Sequence, residues 1–75
     1  MAVSVKHAIG EHDVVAFIET IAKAESTGIW PTGTKGVVVS DFGDHKMIEI
    51  VGENGETLDM PIVPVDKLKF VTKHS

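Results

Sequence analysis

Residues 34–57 carry two turn signals, separated by runs of strand length, and few folds accommodate that pattern. Gly36-Val-Val-Val-Ser-Asp-Phe42 is rich in β-branched residues and ends where Asp41, Gly43 and Asp44 supply turn chemistry. In His45-Lys-Met-Ile-Glu-Ile-Val51, Ile48 and Ile50 share one face and Glu49 takes the other, the alternation of a half-buried strand. Asn54-Gly55 accepts the positive φ angles of a type I′ turn, whose twist matches flanking strands. Glu56-Thr-Leu-Asp-Met60 alternates again, which places Leu58 and Met60 inward and Thr57 and Asp59 outward. Two hairpins in succession predict an all-β domain.

The flanks are less uniform. Pro61 and Pro64 bracket Ile62-Val63, so that segment belongs at a sheet edge or leaves the sheet. Val65-Asp-Lys-Leu68 is too short for an α-helix and fits a single 3₁₀ turn. Lys69-Phe-Val-Thr72 reads as a short last strand, and residues 73–75 as a frayed tail. Upstream, Val14, Phe17, Ile18 and Ile21 have the i, i+3, i+4, i+7 spacing of a helical face. The same segment, Val14-Val-Ala-Phe-Ile18, has the composition of a buried strand. Asp13 suits a helix N-cap, but Ala16 gives no capping box, and periodicity favours helix only narrowly. Residues 26–33 combine two glycines, a proline and three hydroxyl residues, a density that marks a loop. Residues 1–11 have no clear period and read as an arm or a short extra strand through Val3, Val5 and Ile9.

Composition narrows the class. A chain of 75 residues is one domain near the lower limit for folding on its own core. It has no cysteine, so neither a disulfide framework nor a thiolate zinc site is available, and a cytoplasmic location is expected. The first residues lack the apolar run of a signal peptide, and nothing approaches the ~20 apolar residues of a membrane span. The net charge is −4, with lysines interleaved among acids, which argues against nucleic acid as a partner.

The order of elements (strand, long first loop, three strands joined by tight turns, 3₁₀ turn, last strand) is that of SH3-like barrels. Over residues 12–71 the chain also resembles the small bacterial proteins called domain of unknown function 4926. The matching residues are Asp13-Val-Val-Ala16, Gly36-Val-Val-Val39, Ile48-Glu-Ile-Val51, Gly55-Glu-Thr-Leu58 and Val65-Asp-Lys-Leu68. That resemblance implies a strand rather than a helix at 13–18 and no assigned activity; the loop over 19–35 is longer than the family's usual one and is expected to hold a helical turn at 20–25. A weaker resemblance, at the level of the fold, is to type II dihydrofolate reductases, which assemble around a shared pore. The aligned residues are Met60-Pro-Ile-Val63, Pro64-Val65 and Leu68. Pro61 and Val63 stand where that family has the glutamine and tyrosine that make its polar contacts, and neither can make them. The expected fold is therefore a small SH3-like barrel of about five strands over residues 12–72, bent and partly open.

No catalytic constellation emerges. His7, His12, His45 and His74 show no metal-ligand spacing, so no metal or cofactor is expected. Asp41, Asp44 and His45 cluster in one turn, where a metal or acid–base role competes with plain turn chemistry, and turn chemistry is the stronger reading. Gly33-Thr-Lys-Gly36 lacks the order of a phosphate loop. Trp30-Pro31 stands out, because tryptophan is enriched at interaction hot spots. A cover over one open end of a small barrel is the stronger reading of Trp30, since a core this small can use its large apolar area. Glu49, Glu53, Glu56 and Asp59 read as a solvated acidic face. The expectation is a non-enzymatic protein-interaction module, with Ile29, Trp30, Pro31, Phe42, Asp44 and His45 meeting a protein partner. The alternative is a small-molecule site in the pore of a homo-oligomer, since short barrels leave edges that can pair.

Overall fold

A computed structural model describes residues 8–74. The fold is all-β: β1 (Asp13–Phe17), β2 (Ile21–Ala22), β3 (Ile29–Trp30), β4 (Lys35–Asp41), β5 (His45–Val51), β6 (Thr57–Asp59), β7 (Ile62–Pro64) and β8 (Leu68–Lys73). A 3₁₀ turn at Val65–Lys67 precedes β8. The main sheet has six strands in the order β6-β5-β4-β1-β8, with β7 also paired to β5. Ile50 faces Asp59 and Met47 faces Ile62, so β6 and β7 continue one register along β5. Pro61 interrupts them because it has no N–H, while its carbonyl still accepts from Ile48 N at 2.9 Å. Counting that bent pair as one strand reconciles the six-stranded sheet with the expected five.

Register shifts at Val14/Val15, Val38/Ser40 and Ile50/Val51 curl the sheet into a small barrel-like shape. Its two edges, β7 and β8, are consecutive in the chain, and the 3₁₀ turn bridges them. Val65 N donates to Asp44 O and Ile18 N to Lys67 O, at 2.8 and 2.9 Å, which fixes that bridge to both hairpin and first strand. Inside lie Val15, Phe17, Ile21, Val38, Ile48, Ile50, Val63 and Leu68, with Ile9 and Trp30 packed against them. The alternation of Ile48 and Ile50 inward is as expected. No helix among the described residues is long and apolar enough to cross a membrane.

Several expectations are corrected. The helical spacing at 14–21 is overridden: residues 13–17 form a strand, as the resemblance implied for 13–18, flanked by β4 and β8 with Val15 and Phe17 buried. The expected helical turn at 20–25 is absent: Ile21–Ala22 pair with Ile29–Trp30 as a two-stranded ribbon inside the long first connection. The Asn54-Gly55 turn is not type I′. Asn54 keeps a negative φ, Gly55 N donates to Gly52 O at 3.0 Å, and Gly55 alone takes φ +84°. This is a three-residue hairpin built on a type I turn with glycine in the left-handed position. β8 runs through Lys73, and His74 N donates to His12 O at 2.8 Å, so the tail is paired further than expected. Residues 1–7, with Val3 and Val5 of the expected arm, lie outside the described residues, as does Ser75.

His12 is the one described non-glycine residue with positive φ, +73°. It ends a turn in which Asp13 N donates to Gly10 O at 3.2 Å and Gly10 N donates to Asp13 Oδ2 at 2.9 Å. Its side chain is exposed, while its backbone N donates to Val38 O at 2.8 Å. His12→Gly keeps those backbone bonds and removes left-handed strain of about 1–2 kcal/mol, partly offset by the greater freedom of glycine when unfolded. A gain of about 0.5 kcal/mol, seen as a rise in thermal midpoint of about 2–4 °C, is the expected result. An unchanged or lower midpoint would show that the imidazole makes contacts that offset the strain.

Candidate functional site

The long first connection is held at its base by backbone bonds, Phe17 N to Thr34 O at 2.9 Å and Gly33 N to Phe17 O at 2.8 Å. Beyond that base, the β2–β3 register gives the ribbon two faces. Ile21 and Trp30 are opposite one another and turn inward, Ile21 buried and Trp30 half-buried. Ala22 and Ile29 are opposite one another and face out, with Ile29 58% exposed. Lys23 N donates to Gly28 O at 3.0 Å to close the tip, where Gly28 takes φ +110°.

The ribbon is joined to the barrel by Asp59. Its Oδ2 accepts from Trp30 Nε1 and from Ala24 N, both at 2.8 Å, and its Oδ1 accepts from Glu25 N at 2.9 Å. Asp59 is only 2% exposed. Burial alone would raise its pKa, but the bonds from Trp30, Ala24, Glu25 and Met60 together outweigh it and hold the carboxyl below its ordinary value. Lys23 Nζ sits 4.6 Å from the Trp30 ring centroid, so the indole lies between a cation and the core.

Asp59 therefore reverses the expected outward placement, and Leu58, expected inward, is 46% exposed. The register shift at Ile50/Val51 sets Asp59 opposite Ile50 on the inner face, since a one-residue slip moves a strand's side chains to the opposite face. Nothing in the local pattern points to this, because its donors are supplied 29 to 35 residues away along the chain. The single available signal is the indole N–H of Trp30, which requires an acceptor when covered.

The six residues expected to meet a partner separate into two groups. Ile29, Trp30 and Pro31 lie on the ribbon attached to Asp59, which faces Ile50 near the end of β5. Phe42, Asp44 and His45 lie at the β4–β5 turn, where β5 begins. Phe42 is 55% exposed there. The carboxylates of that turn are engaged locally. Asp41 Oδ1 accepts from Lys46 Nζ at 2.5 Å and from Gly43 N at 2.8 Å, and Asp44 Oδ1 pairs with His45 Nδ1 at 2.9 Å. The Lys46 bond, with that from Gly43, holds the Asp41 carboxyl below its ordinary value, and His45 does the same for Asp44. Lys46 itself is 5% exposed, on the inward face shared with Ile48 and Ile50. Its apolar stem packs inside while its ammonium reaches Asp41, a role unmarked in the sequence.

No family model, curated protein or solved structure matches the chain.

Proposed function

We propose that the chain is a cytoplasmic, non-enzymatic binding module on an SH3-like barrel, and that it meets a protein through the outer face of the first connection. One observation carries the reading: Ile29 is 58% exposed on a ribbon whose underside is fixed by Trp30 and Asp59. A large apolar side chain on a loop that is already ordered loses little further entropy on binding. Ala22 and Pro31 extend the apolar character of the exposed face. The strand order, the long first connection and the 3₁₀ turn before the last strand support the SH3-like assignment. In this reading Trp30 is the support and Ile29 the contact.

The test is capture from the source cell's lysate by wild type, by Ile29→Asp and by Val71→Asp, a control on β8. A partner retained by wild type and the control, with binding weakened more than about tenfold by Ile29→Asp, is the expected result. Recovery of no partner by wild type, or equal recovery by all three, would overturn the reading. Circular dichroism of the three proteins establishes that each is folded.

A further inference from the structure

Between residues 20 and 32, the hydrogen bonds that cross from the first connection to the barrel all end on one side chain, Asp59, among the described residues. The other bonds of this segment are internal or lie at its base. Thr34 N and Thr34 Oγ1 both donate to Pro31 O, and Lys23 N donates to Gly28 O. At one end of the base, Ile18 to Thr20 belong to no strand. At the other, Gly33 takes φ +91° with no atom within 4 Å of where a Cβ would lie. Beyond its base, which backbone bonds to Lys67 and Phe17 hold, the segment is a self-contained ribbon with one point of polar attachment. Its apolar underside, Ile21 and Trp30, packs on the core cluster.

We propose that residues 20–32 form a strap that opens as a unit about residues 18–19 and 33–34, with Asp59 as its fastener, uncovering Ile21 and Trp30. The three strap donors on Asp59 come from the tip and from β3, so losing the carboxylate releases both at once. β4 and β5 pair without using any strap residue, and the barrel therefore stays closed when the strap lifts. Parts of a fold with few attachments open well below the free energy of global unfolding. This inference does not rest on the binding reading, because the strap opens whether or not a protein meets Ile29.

Amide hydrogen exchange on the full chain at neutral pH tests it. In Asp59→Asn the amides of Ala24 and Glu25 and the indole N–H of Trp30, which donate to Asp59 and not within the ribbon, are expected to exchange more than tenfold faster than in wild type, while the amides of Val38 and Ile48 keep their rates. Quenching of Trp30 fluorescence by acrylamide rises in parallel. Trp30→Phe keeps the aromatic ring but removes one of the three donors, and serves should Asp59→Asn fail to fold. It is expected to give a smaller acceleration confined to the same segment. Equal acceleration of strap and barrel amides in the variant that folds would show a single cooperative unit and overturn the proposal. Unchanged strap exchange in both variants would overturn it too.

Discussion

Gly36→Ala is expected to lower the free energy of unfolding by about 3 kcal/mol. Gly36 is buried in β4, opposite Val15 of β1 and beside β5. A Cβ there would fall inside contact distance of Ile48 Cγ2 and 2.8 Å from the carbonyl oxygen of Glu49. The side-chain methyl could rotate aside, but the backbone oxygen belongs to the β4–β5 ladder and cannot move without breaking it. A domain of this length has a total stability of about 4–11 kcal/mol, so the loss removes a large share. Gly10→Ala is the matched control, since its nearest neighbour to a new Cβ is Asp41 Oδ2 at 4.0 Å. It should stay within about 0.5 kcal/mol of wild type. Urea denaturation of the three proteins makes the comparison, and equal midpoints would refute the close approach at Gly36.

The second large effect is at Asp59, where Asp59→Ala should cost about 2–3 kcal/mol at pH 7. Three donors lose their acceptor while the site stays covered. The loss has a ceiling. Once it exceeds the free energy holding the strap down, the strap lifts and the donors bond to water instead. The acid dependence follows in sign from the depressed pKa of Asp59. Its unfolded value is about 3.9, so above pH ~4 the stabilisation is fully present, and it is lost as pH falls through the lower folded value. Lys23 and Glu25 are the charged residues of the strap, and Ile50 opposite Asp59 carries no charge. Asp41 and Asp44 are depressed as well and act in the same direction. The difference between wild type and Asp59→Ala isolates the one group. That difference should begin to shrink as pH falls below ~4, where the unfolded chain takes up its proton, and keep shrinking until pH reaches the lower folded value. A difference independent of pH down to pH 2 would mean that Asp59 acts by its shape and not its charge.

How far the sequence leads depends on the range of the interactions involved. The β5 strand is legible to the residue, His45–Val51, because alternation is a property of neighbours. The 3₁₀ turn at Val65–Lys67 is legible for a similar reason, bounded by Pro64 and too short for a longer helix. The first strand is not. Val14, Phe17, Ile18 and Ile21 satisfy helical spacing, and only burial between β4 and β8 decides for β structure. The site shows the same division. Ile29, Trp30 and Phe42 stand out as large apolar residues among turn formers, which marks them as unusual without saying which are exposed.

Local chemistry, then, determined the hairpins, the proline-broken edge, the 3₁₀ turn and the all-β class. Tertiary structure alone decided which group the Trp30 indole N–H meets, that Lys46 lies buried with its ammonium on Asp41, and that Asp59 faces the core. Each of these requires a polar group under cover to find its counterpart, and a buried charge or indole N–H is stable only where the fold brings that counterpart within hydrogen-bond reach. For Asp59 the counterpart is the strap, 29 residues away at its nearest donor. No window of sequence holds both.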